Sequence, residues 1–174
     1  MKALILAAGK GTRLFPATKS TPKPLMPLAG KATLSYIIDE IVKSGISNIG
    51  LVVSEDNYNQ IYKFIKVNHS DLKIKLIIQK DQLGVAHAVK ISKDYIKDDD
   101  FILYLGDNLF ENGIERLVKK FLNNNNNIIS LKFVEDPRKF GVAEIDNNEK
   151  LISITEKPKI PRLSLIHISE PTRR

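Results

Sequence analysis

Residues 2–14, Lys2-Ala3-Leu4-Ile5-Leu6-Ala7-Ala8-Gly9-Lys10-Gly11-Thr12-Arg13-Leu14, are the stretch from which the rest of the fold is read. Lys2 to Ala8 is a short, nearly continuous apolar run closed by glycine, the pattern of a strand buried on both faces of a parallel sheet. Glycines directly behind such a strand permit positive φ and close approach, so the N–H groups of this loop suit phosphate oxygens. The spacing is not the G-x-x-x-x-G-K-[ST] loop, and Leu14 stands where G-x-G-x-x-G has its third glycine. On the glycines alone, a plain strand-to-loop turn is the alternative.

Further along, residues 9–31 hold three glycines and four prolines (Pro16, Pro22, Pro24, Pro27), which forbids a long helix and predicts a long constrained loop. Arg13 inside it, and Lys23 fixed between two prolines, are cations that can converge on one triphosphate, arginine bidentately and lysine as a point charge. From Ala32 the residues Leu34, Ile37, Ile38, Ile41 and Val42 have helical spacing up to Gly45, and Ile49 to Val53 returns to a strand. The alternation continues with a helix near Asn57–Lys66, a strand at Leu72–Ile78, a helix at Val85–Ile96 and a strand at Phe101–Leu105, closed by Gly106-Asp107-Asn108. This pattern predicts an α/β fold, Rossmann-like and three-layered (α/β/α), with a mostly parallel central sheet and its ligand site at the carboxyl ends of the strands. The Gly9 loop, Gln79 and Asp107 all fall at such ends. After a helix at Ile114–Leu122, Asn123–Asn127 reads as a solvated turn. Ile128–Val134, Gly141–Ile145 and Leu151–Thr155 read as short strands that extend the sheet or add an antiparallel piece.

The composition sets the bounds. With 174 residues, 43% hydrophobic and 27% charged, the chain can bury the core of one domain, which excludes a disordered or fibrous protein. It has no cysteine, so no disulfide framework or thiolate metal site, and three scattered histidines argue against a histidine-built zinc site. A cytoplasmic setting is expected on that ground. The apolar run at the N-terminus is too short to span a membrane and lacks a secretory profile, so no membrane association is expected. The net charge of +7 comes from 27 basic residues scattered among 20 acidic ones without aromatic interleaving, which argues against a nucleic-acid surface and suits a pocket for a small polyanion.

Residues 6–31, LAAGKGTRLFPATKSTPKPLMPLAGK, resemble the signature of the sugar-1-phosphate nucleotidyltransferases, roughly G-x-G-T-R-L-x-P followed by P-K-x-L-x-P. QKDQLGVAHAV (79–89), YLGDNLF (104–110), DPRKFGVAEID (136–146) and ITEKPK (154–159) follow in the same family's order, closest to glucose-1-phosphate thymidylyltransferases and their archaeal and long-form relatives. The resemblance implies transfer of a nucleotidyl group from dTTP to glucose-1-phosphate with Mg2+, giving dTDP-glucose and pyrophosphate. Another pyrophosphorylase, using UTP or GTP with a hexose-1-phosphate, and a nucleotide-sensing homologue without catalysis are the alternatives.

By the same resemblance Ala8, Gly9, Gly11, Thr12 and Arg13 hold the triphosphate, with Arg13 stabilising the departing pyrophosphate and Lys23 neutralising the transferring phosphoryl group. Asp107 becomes the metal carboxylate, a hard-oxygen ligand suited to magnesium, although a bare turn aspartate would look alike. Gln79 and Gly84 are assigned to the base; the glutamine amide offers both donor and acceptor. Gly141 and Glu156 are assigned to the sugar and Lys157 to its phosphate, against the plainer reading of the two charges as a surface pair. His87, on an apolar face within Val85-Ala86-His87-Ala88, reads as structural because no reaction step requires an imidazole. A homo-oligomer of the full-length protein is compatible with the resemblance.

Past Pro161 the resemblance ends. Leu163–Arg173, LSLIHISEPTR, looks like a translated sequencing adapter. The expected organisation is therefore a nucleotidyltransferase domain over 1–161, truncated at its C-terminal side and lacking half the sugar pocket, and a non-native tail over 162–174. Leu165, Ile166 and Ile168 also allow a strand there.

Overall fold

The apolar run at the N-terminus forms β1 (Lys2–Leu6), the inner strand of a sheet. Behind it the proline-rich loop folds as three short 3-10 turns, Thr12–Leu14, Ala17–Lys19 and Lys23–Leu25, and a two-residue hairpin of β2 (Pro27–Leu28) and β3 (Lys31–Ala32). Then come α1 (Thr33–Lys43), β4 (Asn48–Val53), α2 (Glu55–Asn68), β5 (Lys73–Ile78), α3 (Val85–Ile91), α4 (Lys93–Ile96) and β6 (Phe101–Leu105). The computed structural model describes residues 1–124, 126–134, 136–138, 140–148, 150–156, 158, 167 and 168, with the side chains of 13, 167 and 168 outside that description. Its contacts divide the chain into two units, Met1–Leu109 and Phe110–Arg174.

In the first unit β5, β4, β1 and β6 pair in that order, all parallel, with Leu6 level with Val52 on one side and Leu105 on the other. Side chains alternate faces along each strand. Leu4, Leu6, Ala8, Val52 and Ile77 form one apolar face, and Ala88, Tyr95 and Ile96 of α3 and α4 pack on it. Ile5 and Tyr104 belong to the other face, where the Tyr104 hydroxyl donates to Glu40 of α1 at 2.6 Å. Leu34, Ile37, Ile38 and Ile41 of α1 are fully buried, and α2 is tied to α1 by Ser35 and His69, 3.0 Å apart. Helices thus cover both faces, which is the predicted three-layer arrangement.

Two local departures from the expected elements have identifiable causes. The single helix expected over 85–96 is broken at Ser92, whose buried hydroxyl donates to the Ala88 carbonyl at 2.7 Å while its N–H donates to Val89. Such back-bonding offers the backbone an alternative to the continuing helix ladder. Helix α2 starts earlier than the apolar spacing suggests because Ser54 caps it: its hydroxyl accepts from Asn57 N–H, and Asn57 Oδ1 accepts from Ser54 N–H. Asn57 Nδ2 also donates to the Ala7 carbonyl at 2.9 Å, fixing the end of β1 just before the glycine loop.

The second unit holds α5 (Glu115–Asn124) and an antiparallel sheet ordered β8 (Leu151–Glu156), β7 (Gly141–Ile145), β9 (His167–Ile168). Helix α5 runs two residues into the asparagine tract that was expected to be a turn, since asparagine is tolerated in a last helical turn. The strand expected at 128–134 is not formed: this stretch has one isolated bridge, at Lys132, and Phe133 is 72% exposed. An alternating apolar pattern supplies side chains for a strand but not the neighbour that makes its ladder. The two residues of β9 lie in the tail expected to be non-native, where they pair with Val142 and Ala143.

Candidate active site

The carboxyl ends of β1, β6 and β5 carry the residues of interest in the first unit. At β1, Gly11 adopts φ 63° and starts the first 3-10 turn, and a Cβ there would stand 3.2 Å from both Lys23 Cβ and Thr18 Cγ2. Glycine at this position therefore does two things: it takes the left-handed conformation, and it lets the loop close on Lys23. Leu14 and Phe15 donate to the carbonyls of Gly11 and Thr12, whereas the N–H groups of Gly9, Lys10, Gly11 and Thr12 donate no hydrogen bond among the described residues. Four consecutive amides directly behind a buried strand, without a hydrogen bond among the described residues, are available to an anion. Ala8, on the strand side of the loop, is buried in the core. Arg13 lies within the first 3-10 turn.

Gly106 joins β6 to Asp107 and donates its N–H to the Leu6 carbonyl at 2.8 Å. A Cβ on Gly106 would lie 2.5 Å from that oxygen, so only glycine lets β6 hug β1 here. The contact sets Asp107 beside the glycine loop, and the Asp107 carboxylate accepts a hydrogen bond from Lys23 Nζ. Residues 84 positions apart are thus brought together. Next to Asp107, Asn108 is 6% exposed, and its Oδ1 is the one buried side-chain polar atom among the described residues without a hydrogen-bond partner. Such an acceptor is costly to leave unmade, by about 1–3 kcal/mol. The sequence reading missed Asn108; its one signal was its position directly after the Gly-Asp pair.

Gln79 directly follows β5 and extends its ladder, donating its N–H to Val53 at 2.8 Å. Its side-chain Nε2 lies 3.3 Å from the Gly84 carbonyl and 3.1 Å from His87 Nδ1. Because β5 is two strands from β1, Gln79 sits about 10 Å along the sheet edge from the glycine loop, a base-to-phosphate separation. In the second unit, Gly141 and Glu156 are cross-strand partners, and a Cβ on Gly141 would be 3.2 Å from Glu156 Oε2. Lys157 lies outside the described residues.

The metal question turns on donor chemistry. Among the described residues no group of three or more Asp, Glu, His or Cys side chains could hold a metal ion alone. Asp107 offers one carboxylate oxygen donor of the kind magnesium takes together with substrate phosphates, whereas Lys23 and the loop amides are suited to the phosphates and not to the metal. An open cavity of about 750 Å³ elsewhere, with Lys31, Asp39, His69 and Asp71 in its wall, shares no residue with this set, and its Lys31 and Asp39 pair with each other. No helix among the described residues is long and apolar enough to cross a membrane.

A parallel sheet of this order with helices on both faces defines a Rossmann-like α/β protein. Comparison with known proteins narrows the class: residues 2–169 match the nucleotidyl transferase family, and the chain belongs to it. It is 40% identical over 168 residues to a glucose-1-phosphate thymidylyltransferase of Streptomyces antibioticus, covering 95% of this chain and 47% of that protein. With the low-salt glycan biosynthesis nucleotidyltransferase Agl11 of Haloferax volcanii it shares 36% over 168 residues, again 95% and 47%. With the bifunctional protein GlmU of Methanococcus maripaludis it shares 41% over 164 residues, 94% and 37%. The chain thus spans about half the length, or less, of these curated relatives. A Bacillus anthracis crystal structure with sucrose, assigned provisionally to glucose-1-phosphate thymidylyltransferase, superposes with a TM-score of 0.88 at 31% identity, covering 97% of this chain and 69% of that one.

Proposed function

We propose that the protein of which this chain is part transfers a nucleotidyl group from a nucleoside triphosphate to a sugar-1-phosphate, and that the pair is dTTP and glucose-1-phosphate. The observation that carries the reading is the run of four loop amides that donate no hydrogen bond among the described residues, together with the Lys23–Asp107 pair. In this reaction a phosphate oxygen of the sugar-1-phosphate attacks the α-phosphorus, the bond from that phosphorus to the bridging oxygen breaks, and pyrophosphate leaves with the electron pair. Transfers of this kind need charge neutralisation and in-line positioning more than a covalent nucleophile.

The amides of Gly9, Lys10, Gly11 and Thr12 bind the triphosphate oxygens, and Arg13 from the same turn stabilises the departing pyrophosphate. Ala8 closes the loop against the core. Lys23 neutralises the transferring phosphoryl group, and Asp107 would hold the metal. Magnesium bound there would neutralise phosphate charge and orient the α-phosphoryl group. Gln79 and Gly84 hold the base, Gly141 and Glu156 the sugar, and Lys157 its phosphate. The nucleotide and sugar phosphate that such an enzyme uses fit a cytoplasmic setting, and a homo-oligomer of the full-length protein fits the same reading.

We further propose that residues 1–161 are the N-terminal part of a longer domain and that 162–174 are not native to it. The decisive assay is pyrophosphate release by the longest reading frame containing this chain, across four nucleoside triphosphates and several sugar phosphates. Turnover with dTTP and glucose-1-phosphate is expected. The GlmU and Agl11 relatives, at comparable identity, favour a second reading with another nucleotide or sugar, which a preference for UTP or GTP would select. Silence with every pair would leave nucleotide sensing.

A further inference from the structure

Just past the end of β1 a side chain takes the place of the next rung of the ladder with β4. Ala7 N–H donates to the Val52 carbonyl at 2.8 Å, so a parallel ladder carried one rung further would have Ser54 N–H donate to the Ala7 carbonyl. Instead the Asn57 amide stands between the two: its Oδ1 accepts from Ser54 N–H at 2.9 Å, and its Nδ2 donates to the Ala7 carbonyl at 2.9 Å. A backbone N–H can only donate and a backbone carbonyl can only accept, so these two neighbours fix which way the amide faces. Asn57 is 7% exposed and Ala7 is 3% exposed, which shields both bonds from water. The ladder is thus opened by one amide where the chain leaves the sheet for Gly9, and the Ala7 carbonyl is still satisfied. On the β6 side Gly106 N–H holds the Leu6 carbonyl, so the loop springs from a chain tied on both sides. Three residues along α2, Gln60 Nε2 donates to the Ser20 carbonyl at 3.4 Å, and the same helix touches the loop a second time.

We propose that Asn57 is a positioning residue for the triphosphate: by inserting its amide between β1 and β4 it fixes where the loop amides of Gly9 to Thr12 begin, and hence where they meet phosphate oxygens. The inference rests on that loop binding the triphosphate, as proposed above, and adds what holds it in place. Amides that converge on one anion bind it best when their placement is fixed beforehand, since a loose loop must be ordered at each binding event. The cap of α2 does not account for the whole side chain. The Ser54 hydroxyl and Asn57 Oδ1 complete that cap by themselves, and the donor to Ala7 is the part the helix does not use.

The test uses the longest form of the protein that contains this chain and two variants that separate the donor from the cap. Asn57→Asp keeps an oxygen for Ser54 N–H and sets a second acceptor, in place of the donor, against the Ala7 carbonyl. Ser54→Ala removes the hydroxyl of the cap and leaves both bonds of the Asn57 side chain. The probe is a non-hydrolysable analogue of dTTP, or of whichever nucleotide pyrophosphate release selects. Asn57→Asp should raise its Kd, and the KM for the triphosphate, roughly five- to twentyfold, while the KM for sugar phosphate stays within about twofold. Ser54→Ala should lower Tm yet keep these constants within about twofold of the parent. If Asn57→Asp binds the analogue like the parent, or Ser54→Ala weakens binding as much as Asn57→Asp does, Asn57 only caps α2 and the proposal is wrong. Equal rises in the two KM values would overturn it as well, because a general loss of fold does not discriminate between substrates. Should a thermal melt show that Asn57→Asp does not fold, Asn57→Ala removes the same donor without opposing two oxygens and takes its place. Gly9→Ala tests the reading beneath. If it weakens the triphosphate and the Asn57 variant does not, only the role of Asn57 falls; if neither weakens it, the loop does not bind the triphosphate and the underlying assignment fails.

Discussion

Two glycines at the same edge of the sheet should respond to alanine in opposite ways. On Gly106 a Cβ would stand 2.5 Å from the Leu6 carbonyl oxygen, and ordinary contact begins near 3.4 Å, so β6 must move about 0.9 Å from β1 at that point. That opens the 2.8 Å bond from Gly106 N–H to Leu6, at about 0.5–1.5 kcal/mol. Local overpacking adds about 1–3 kcal/mol. Gly106→Ala should therefore cost roughly 2–4 kcal/mol and lower Tm by about 5–15 °C. Because Asp107 is the next residue, the displacement also reaches the carboxylate, and a misplacement of this size is expected to slow turnover by around a hundredfold. On Gly9 a Cβ meets nothing within 4 Å and the backbone is outside the left-handed region, so Gly9→Ala should leave Tm unchanged or raise it slightly through the unfolded chain. If phosphate closes on Gly9, however, the methyl stands in its way and triphosphate affinity should fall. Differential scanning calorimetry and titration with a non-hydrolysable triphosphate read the two effects separately. A Gly9→Ala protein that melts early but binds normally, or a Gly106→Ala protein with parental Tm, would refute this division of labour.

Arg13→Ala and Asp107→Asn should each lower turnover by roughly a hundredfold or more in pyrophosphate-release assays, since each removes a charge interaction that grows in the transition state, while Lys157→Ala should raise the KM for sugar phosphate more than it lowers kcat. Asn57→Ala keeps the backbone bond to the Ser54 hydroxyl but removes the bond from Ser54 N–H to Asn57 Oδ1 and the bond to Ala7, so chemical denaturation should show a loss of about 1–3 kcal/mol. Burial holds the His69 imidazole below its ordinary 6.5, with Asp39 and Asp71 opposing and Lys31 reinforcing the shift. The unfolded chain therefore takes up that proton first: stability from this group is complete above about pH 6.5 and declines as pH falls from there toward the folded value. Comparing Tm at pH 7.5 and 5.5, His69→Gln should show a smaller acid loss than the parent.

The sheet was legible because each of its strands announces itself locally. Lys2–Leu6, Asn48–Val53, Lys73–Ile78 and Phe101–Leu105 are apolar runs bounded by turn residues, and a parallel sheet buried on both faces needs little else. The site was legible in part for a related reason. In a parallel sheet every strand end lies at one edge, so residues just beyond the adjacent strands β1 and β6 come close wherever they fall in the chain, while Lys23 reaches Asp107 through the path of the proline-rich loop. What stayed unread depends on hydrogen bonds whose partners give no periodic sign. Ser92 breaks a helix through its own hydroxyl, Asn57 reaches back fifty residues to the Ala7 carbonyl, and residues 128–134 have strand chemistry without a ladder along most of their length. His87 belongs with these. Its ring nitrogen Nδ1 lies 3.1 Å from the Gln79 amide, whose nitrogen is turned inward by the Gly84 carbonyl, and only these distances carry that information. A motif can name the residue that faces the substrate, but the polarity it presents is decided by the neighbours that take its other hydrogen bonds.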